Sequence, residues 1–162
     1  PWKANKLLVY MFRIEKTGEK EPLLVKILIH STIRKCYPRI YAPEVVRFFL
    51  DYHSIAAIER RMNAGIVIVL KEEGQIRGTG FLTGEEMGGV YVDPRHQGKG
   101  YGTAIIEYLI GVALANEVKR IWLDATPIAK PLYERLGFQV VSPMTQMVGI
   151  VPLHYFKMEK FL

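Results

Sequence analysis

The sequence predicts an α/β fold built on a mixed sheet with helices on both faces. Three observations carry that expectation. Strand-like and helix-like apolar patterns follow one another in the order β, α, α, β, β, β, α, β, α, β, β. The chain has 162 residues, of which 49% are apolar and 23% charged, which is the size and composition of one domain with a real core. Glycine and proline mark the joints between segments, and no repeat, low-complexity tract or linker divides the chain, so residues 1–162 read as a single domain.

Each element has its own signature. "LLVYMFRIEK" alternates enough to be a first strand. "EPLLVKILIHSTIRKCYP" is ambiguous, since Val25, Ile27 and Ile29 alternate while Leu24, Ile27, Leu28 and Ser31 share a helical face. Its length and the start at Pro22 favour a helix. "APEVVRFFLDYHSIAAIERRMNAG" reads as one or two helices from Pro43, with Gly65 as the stop. "IVIVLKEEGQIRGTGFLTGE" is two strands joined at Glu73-Gly74, and "MGGVYVDP" is a further strand. A helix then runs to about Asn116. "RIWLDA" is a buried strand, "AKPLYERLG" a short helix stopped by Gly137, and "FQVVSPMTQMV" and "PLHYFKMEKF" are closing strands.

Composition narrows the function. The longest apolar runs fall short of a membrane span, and no signal-peptide pattern is visible after Pro1. The single cysteine, Cys36, excludes an internal disulfide and fits a reducing compartment such as the cytoplasm. His30, His53, His96 and His154 lack metal-ligand spacing, so no metal is expected. The net charge of +6 suggests an anionic partner. No more than two basic residues are adjacent and no base-stacking motif is present, which argues against nucleic acid.

The stretch "VYVDPRHQGKGYGTAIIEYL" carries the chemistry. Gly98, Gly100 and Gly102 fall at every second position between a strand and a helix. The GxGxxG dinucleotide fingerprint does not fit, and neither does the phosphate loop GxxxxGK followed by Ser or Thr, because Gly100 follows Lys99. A helix start with bare backbone still offers free N–H groups and a positive dipole end to a phosphate, with Arg95 and Lys99 nearby. By itself the loop fits either an anion site or a tight strand–helix turn.

"QGKGYG" resembles the Q/R-x-x-G-x-G acetyl-CoA loop of the GNAT superfamily of N-acetyltransferases, with Gln97, Gly100 and Gly102 at the defining places. "AKPLYERLGF" (Ala129 to Phe138) is similar to that family's A-x-x-x-Y-x-x-x-G-F segment, and "HYFKMEKFL" to its closing strand. The order of elements agrees over nearly the whole chain. The resemblance implies a mostly antiparallel sheet in which two parallel strands splay apart at the cofactor site. It implies acetyl-CoA as co-substrate. Gln97, Gly98, Lys99, Gly100, Tyr101, Gly102 and Thr103 would hold its pyrophosphate, and Arg95 or Lys99 would face a phosphate. The pantetheine arm would lie as an extra strand along Val90, Tyr91 and Val92. Thr126, where many members have Asn, and Ala129 complete the implied cofactor contacts.

The same resemblance implies direct acetyl transfer to a small-molecule or protein amine in a ternary complex. A free lysine-like amine has pKa ≈ 10.4, so selecting its neutral form at pH 7 costs about 4.6 kcal/mol, at ~1.36 kcal/mol per unit. A base or a water chain relieves part of that. Of Glu85 and Glu86, Glu86 is the candidate base, with ordered water as the alternative. Tyr133 matches the family tyrosine that protonates the coenzyme A sulfur, and the backbone N–H of Val90 is the oxyanion donor by analogy. Tyr37 and Tyr41 either line the acceptor pocket or are surface turn residues. "DYHS" invites a Ser–His–Asp reading that adjacency in a helical stretch does not support. Cys36 reads as a buried small hydrophobe. A homodimer through the last strands is a recurrent property of the family. The competing reading is a non-catalytic acyl-CoA-binding or sensing domain on the same fold.

Overall fold

The computed structural model describes residues 12–162. Its first strand, β1, spans Arg13–Lys16; the earlier part of the expected strand, residues 7–11, lies outside the described residues. Helix α1 (Pro22–Cys36) resolves the ambiguous segment. Val25, Leu28, Ile29, Thr32 and Ile33 are buried at three- and four-residue spacing, so the segment is a helix, but its buried face is not the one grouped from the sequence: of Leu24, Ile27, Leu28 and Ser31 only Leu28 is buried. The next segment is two helices, α2 (Pro43–Tyr52) and α3 (Ile55–Ala64). They part at His53-Ser54 because the Ser54 side chain caps α3, accepting from Ala57 N at 3.2 Å.

Strands β2 (Ile66–Glu72), β3 (Gln75–Thr83) and β4 (Glu86–Val92) follow as antiparallel neighbours, then helix α4 (Tyr101–Ala115), strand β5 (Arg120–Ala125), helix α5 (Lys130–Arg135) and the hairpin β6 (Gln139–Val148) and β7 (Val151–Phe161). Gly65 closes α3, as the sequence suggested, without a left-handed turn. Its φ of −165° is extended, and glycine is needed because a Cβ there would lie 2.3 Å from the Leu82 carbonyl oxygen.

The strands form one sheet in the order β1-β2-β3-β4-β5-β7-β6, with β4–β5 the only parallel neighbours among the described residues. Helices cover both faces. Ile105, Ile106 and Leu109 of α4 pack with Tyr133 of α5 against Ile68, Leu70 and Leu82. On the other face Val25, Ile29 and Ile33 of α1 and Ile58 of α3 pack against Val69 and Tyr91. β2 is central to both layers, which is why its apolar run is unbroken rather than alternating.

The sheet opens in one place. β4 and β5 share only the pair Glu86 and Trp122, held by Trp122 N donating to Glu85 O at 2.9 Å, and then diverge. The cause lies on the other side of β4. Thr79 pairs with Tyr91 and Phe81 with Gly88, so Gly89 and Val90 together oppose Gly80 as a β-bulge. Gly89 takes φ +59°, a region that penalises every side chain beyond glycine. Gly89→Ala should therefore cost about 2–4 kcal/mol, combining left-handed strain with a Cβ that would sit 2.9 Å from Phe81 Cδ1. Gly84→Ala, at φ +58° with nothing within 4 Å, should lose only the conformational part, about 1–2 kcal/mol. Urea midpoints of the two variants compare them directly; equal losses would mean that the bulge relaxes freely around the added methyl.

Candidate active site

The parted strands end in a cavity of about 180 Å³ walled by β4, β5, the end of α2 and the β6–β7 hairpin. Val90 and Tyr91 line it from the bulge, Thr126 and Ala129 from the turn after β5, and Tyr133 from α5. That brings together, across more than forty residues of sequence, five of the residues singled out from sequence alone.

The glycine loop lies beyond the end of β4. Asp93 opens it, its carboxylate accepting from Arg95 N at 3.0 Å and pairing with the Arg95 guanidinium at 3.1 Å. Burial would raise the Asp93 carboxyl, but the hydrogen bonds from the Arg95 side chain and backbone bring it down to about 2. Gln97 Nε2 donates to Val92 O at 3.1 Å, so its side chain ties the loop to the strand end. Gly98 and Gly100 adopt φ +79° and +81°, and no protein atom lies within 4 Å of where either Cβ would stand. Both therefore face outward over an open cradle.

Helix α4 begins uncapped. Its first intrahelical bond runs from Ala104 N to Gly100 O, so the N–H groups of Tyr101, Gly102 and Thr103 have no helical acceptor, and Gly100 supplies no capping side chain. An anionic group is the complementary partner. The Tyr101 side chain turns inward instead, donating its hydroxyl hydrogen to Glu72 Oε1, so only its backbone faces the cradle. The flanking cations are already partnered. Lys99 Nζ lies 3.7 Å from Glu72 and 5.8 Å above the Tyr101 ring, and Arg95 pairs with Asp93 while staying 71% exposed. Charge attraction at this loop is thus carried first by backbone amides.

The cavity holds the titratable groups. Glu86 lines it, whereas Glu85 turns to the surface and accepts from Arg120 at 2.7 Å, which separates the two adjacent glutamates. Burial raises the Glu86 carboxyl, Arg61 opposes that and Asp124 adds to it. Tyr133 is fully enclosed, its ring edge-on to Phe138 at 5.6 Å, and burial pushes its phenol well above the ordinary tyrosine value. Among the described residues its hydroxyl has no hydrogen-bond partner, so it is free to donate into the cavity. Tyr37 lines the wall; Tyr41 stands behind it, packed on Tyr37 at 5.3 Å and on Phe49 at 5.6 Å.

Sequence reasoning missed His53 and Asp124. Only half of "DYHS" is helical: Asp51 and Tyr52 end α2, Ser54 caps α3, and His53, in the link, turns inward. It is 3% exposed, and burial lowers its imidazole pKa to about 3, with Arg61 and His30 adding to the effect. Asp124 lines the cavity from β5, and its carboxyl is raised by burial against the pull of Lys157. A lone carboxylate in the apolar run "RIWLDA" was the available signal; for His53 the signal was its place at a helix break.

Comparison with known proteins follows the same lines. The acetyltransferase (GNAT) domain family matches residues 38–161. No curated protein matches the sequence. Among solved structures, a GCN5-related N-acetyltransferase of Rhodopseudomonas palustris superposes with a TM-score of 0.84 at 18% identity, over 93% of this chain and 95% of the other. The PaiA N-acetyltransferase of Thermoplasma acidophilum, solved with coenzyme A, gives 0.75 at 15% identity over 93% and 99%. YncA of Salmonella typhimurium, solved with acetyl-CoA, gives 0.69 at 19% over 93% and 94%. At these identities the likeness is one of fold.

The raised Glu86 carboxyl makes a stability prediction. A group that binds its proton more tightly in the folded state stabilises the fold at low pH and loses that contribution as pH rises through its folded pKa. Glu86→Gln should therefore melt slightly above wild type at pH 7, and the difference should shrink as pH falls toward 4.5. Calorimetry across that pH range checks it; a variant less stable than wild type at pH 7 would mean that the charged form is favourably paired.

Proposed function

Because the chain belongs to the GNAT acetyltransferase domain family, we propose that it moves an acetyl group from acetyl-CoA to a primary amine by direct transfer in a ternary complex. The observation that carries the reading is the juxtaposition of an open, uncapped glycine loop with a forked cavity that holds a donor phenol and a half-buried carboxylate. The fork fits the group. Cβ positions at Gly98 and Gly100 are clear of the protein, and the strands part where an extended arm would lie.

The chain's own residues divide the work. The N–H groups of Tyr101, Gly102 and Thr103 receive the pyrophosphate, with Gly98 and Gly100 keeping the approach open. Arg95 and Lys99 add screened charge from partnered positions. Val90, Tyr91 and Val92 offer main-chain groups along the freed edge of β4, and Thr126 and Ala129 close the opposite side. When bound, acetyl-CoA supplies an activated acyl group on a thiol leaving group.

Around the reacting atoms, the Val90 N–H donates to the acyl oxygen, and Val90 stands in the bulge without a register partner on β3. Glu86 takes the amine proton, directly or through water. Its raised pKa brings its basicity nearer to neutral pH than an exposed glutamate's. Tyr133 gives a proton to the departing sulfur; its phenol, pushed up by burial, stays protonated over the working range. Cys36, at the end of α1, does not line the cavity, which fits transfer without an acyl-enzyme. The acceptor is a small-molecule or protein amine, and a reducing cytoplasmic setting and a homodimer through β6–β7 belong to the same proposal. The second reading, a non-catalytic acyl-CoA sensor, would leave the phenol and the carboxylate in the cavity without work.

Two experiments test this. Tyr133→Phe keeps the ring against Phe138, so acetyl-CoA affinity should change little in a calorimetric titration. Both kcat and kcat/KM should fall about a hundredfold in a free-thiol assay over an amine panel. Wild-type turnover in that variant would remove Tyr133 from the mechanism. Gly100→Val should weaken acetyl-CoA binding at least tenfold, ~1.4 kcal/mol, because the branched side chain stands in the cradle. A folded variant with wild-type affinity would place the pyrophosphate elsewhere.

A further inference from the structure

A chain of buried and part-buried hydrogen bonds ends at the cavity wall. Arg61 Nη1 lies 3.2 Å from His53 Nδ1, His53 Nε2 lies 3.2 Å from the Tyr91 hydroxyl, and the Tyr91 and Tyr37 hydroxyls are 3.3 Å apart. We propose that this chain aims the Tyr37 hydroxyl proton into the cavity, as a second donor to the acyl carbonyl oxygen beside the Val90 amide. The inference rests on the acetyl-transfer reading and adds a residue and a direction to it.

The direction follows from what each group can do. A guanidinium only donates, so His53 Nδ1 must accept from Arg61 and cannot carry a proton. The ring proton of neutral His53 is therefore on Nε2, and Nε2 donates to the Tyr91 oxygen. Either hydroxyl can donate across the 3.3 Å between them; with its oxygen already accepting from Nε2, Tyr91 gives its own proton to the Tyr37 oxygen, a bond that favours ionisation of Tyr37 and disfavours that of Tyr91. Tyr37 then has its own proton left over, and Tyr37 lines the cavity.

The far end of the chain is locked. Arg61 is held over the rings of Tyr52 and Phe81 at 4.8 and 4.6 Å, and the His53 carbonyl accepts from His30 Nε2 at 2.9 Å. Because Arg61 cannot receive a proton, the chain does not conduct one outward; its effect is orientation. The Tyr37 hydroxyl is close enough to those of Tyr91 and Tyr133 to disfavour ionisation of both, so it stands near the phenol assigned to the sulfur.

The test has three readings. Long-range proton–nitrogen correlation spectra of the histidine-labelled protein should show neutral His53 with hydrogen on Nε2 at neutral pH, and Arg61→Met should lose that single tautomer. Infrared difference spectra of bound acetyl-CoA labelled with carbon-13 at the carbonyl should show a lowered stretch in wild type. In Tyr37→Phe the stretch should move back toward the free value. In turnover, Tyr37→Phe should lower kcat about tenfold with both KM values nearly unchanged, and adding His53→Gln to it should cost little more, since both act in one chain. Melting curves check that each variant folds. An Nδ1–H tautomer, a carbonyl stretch indifferent to Tyr37→Phe, or an effect confined to the amine KM would overturn the assignment. A shifted carbonyl with no amine acetylated would defeat the enzyme reading and leave the Tyr37 donor standing; turnover with an unmoved carbonyl would defeat the Tyr37 donor alone.

Discussion

The arrangement depends on one irregularity in the sheet, the bulge at Gly89-Val90. A regular β4 would stay paired to β5 along its whole length, and both strands would satisfy their own backbone groups. The extra residue turns β4 after a single parallel pair with β5, between Glu86 and Trp122. That opens the cavity, frees an edge for an extended ligand and sends the chain toward the glycine loop at the end of the same strand. The structure tolerates the irregularity because both sides of β4 are anchored elsewhere, by Met87 and Tyr91 in opposite core layers.

Electrostatics at the loop are quieter than the net charge of +6 suggests. Arg95 and Lys99 face carboxylates of their own, Asp93 and Glu72, and Glu72 is also held by Tyr101 and by His96 at 3.1 Å. These pairs brace the loop from behind. In the proposed function a phosphate would be held chiefly by fixed amides, which need no side-chain ordering when the ligand arrives.

The cavity shows the opposite design. Polar side chains make up about half of its lining, and partial or full burial shifts several of them. Glu86 and Asp124 hold protons more tightly than exposed carboxyls, Tyr37 is raised to about 12, and His53 is driven neutral. Aromatic contacts from α2, such as Phe49 edge-on to Tyr37 at 5.0 Å, supply the low-dielectric wall that produces those shifts.

The sequence by itself determined the fold class, the element order and the loop. Those features are local: periodicity, glycine spacing and helix starts are written in neighbouring residues. It also marked Glu86, Val90, Thr126, Ala129 and Tyr133, through motif resemblance, and the fold brings them to one cavity. What it left open were relations between distant segments. Only the tertiary structure turned Glu85 to Arg120 at the surface while Glu86 lines the cavity, turned the Tyr101 side chain into the core, gave Arg95 and Lys99 their carboxylate partners, and drew His53 from a helix break to a hydrogen bond with Tyr91, 38 residues away. The physical reason is that a side chain's protonation and direction are set by what encloses it, and for these residues the enclosing atoms come from other elements of the chain.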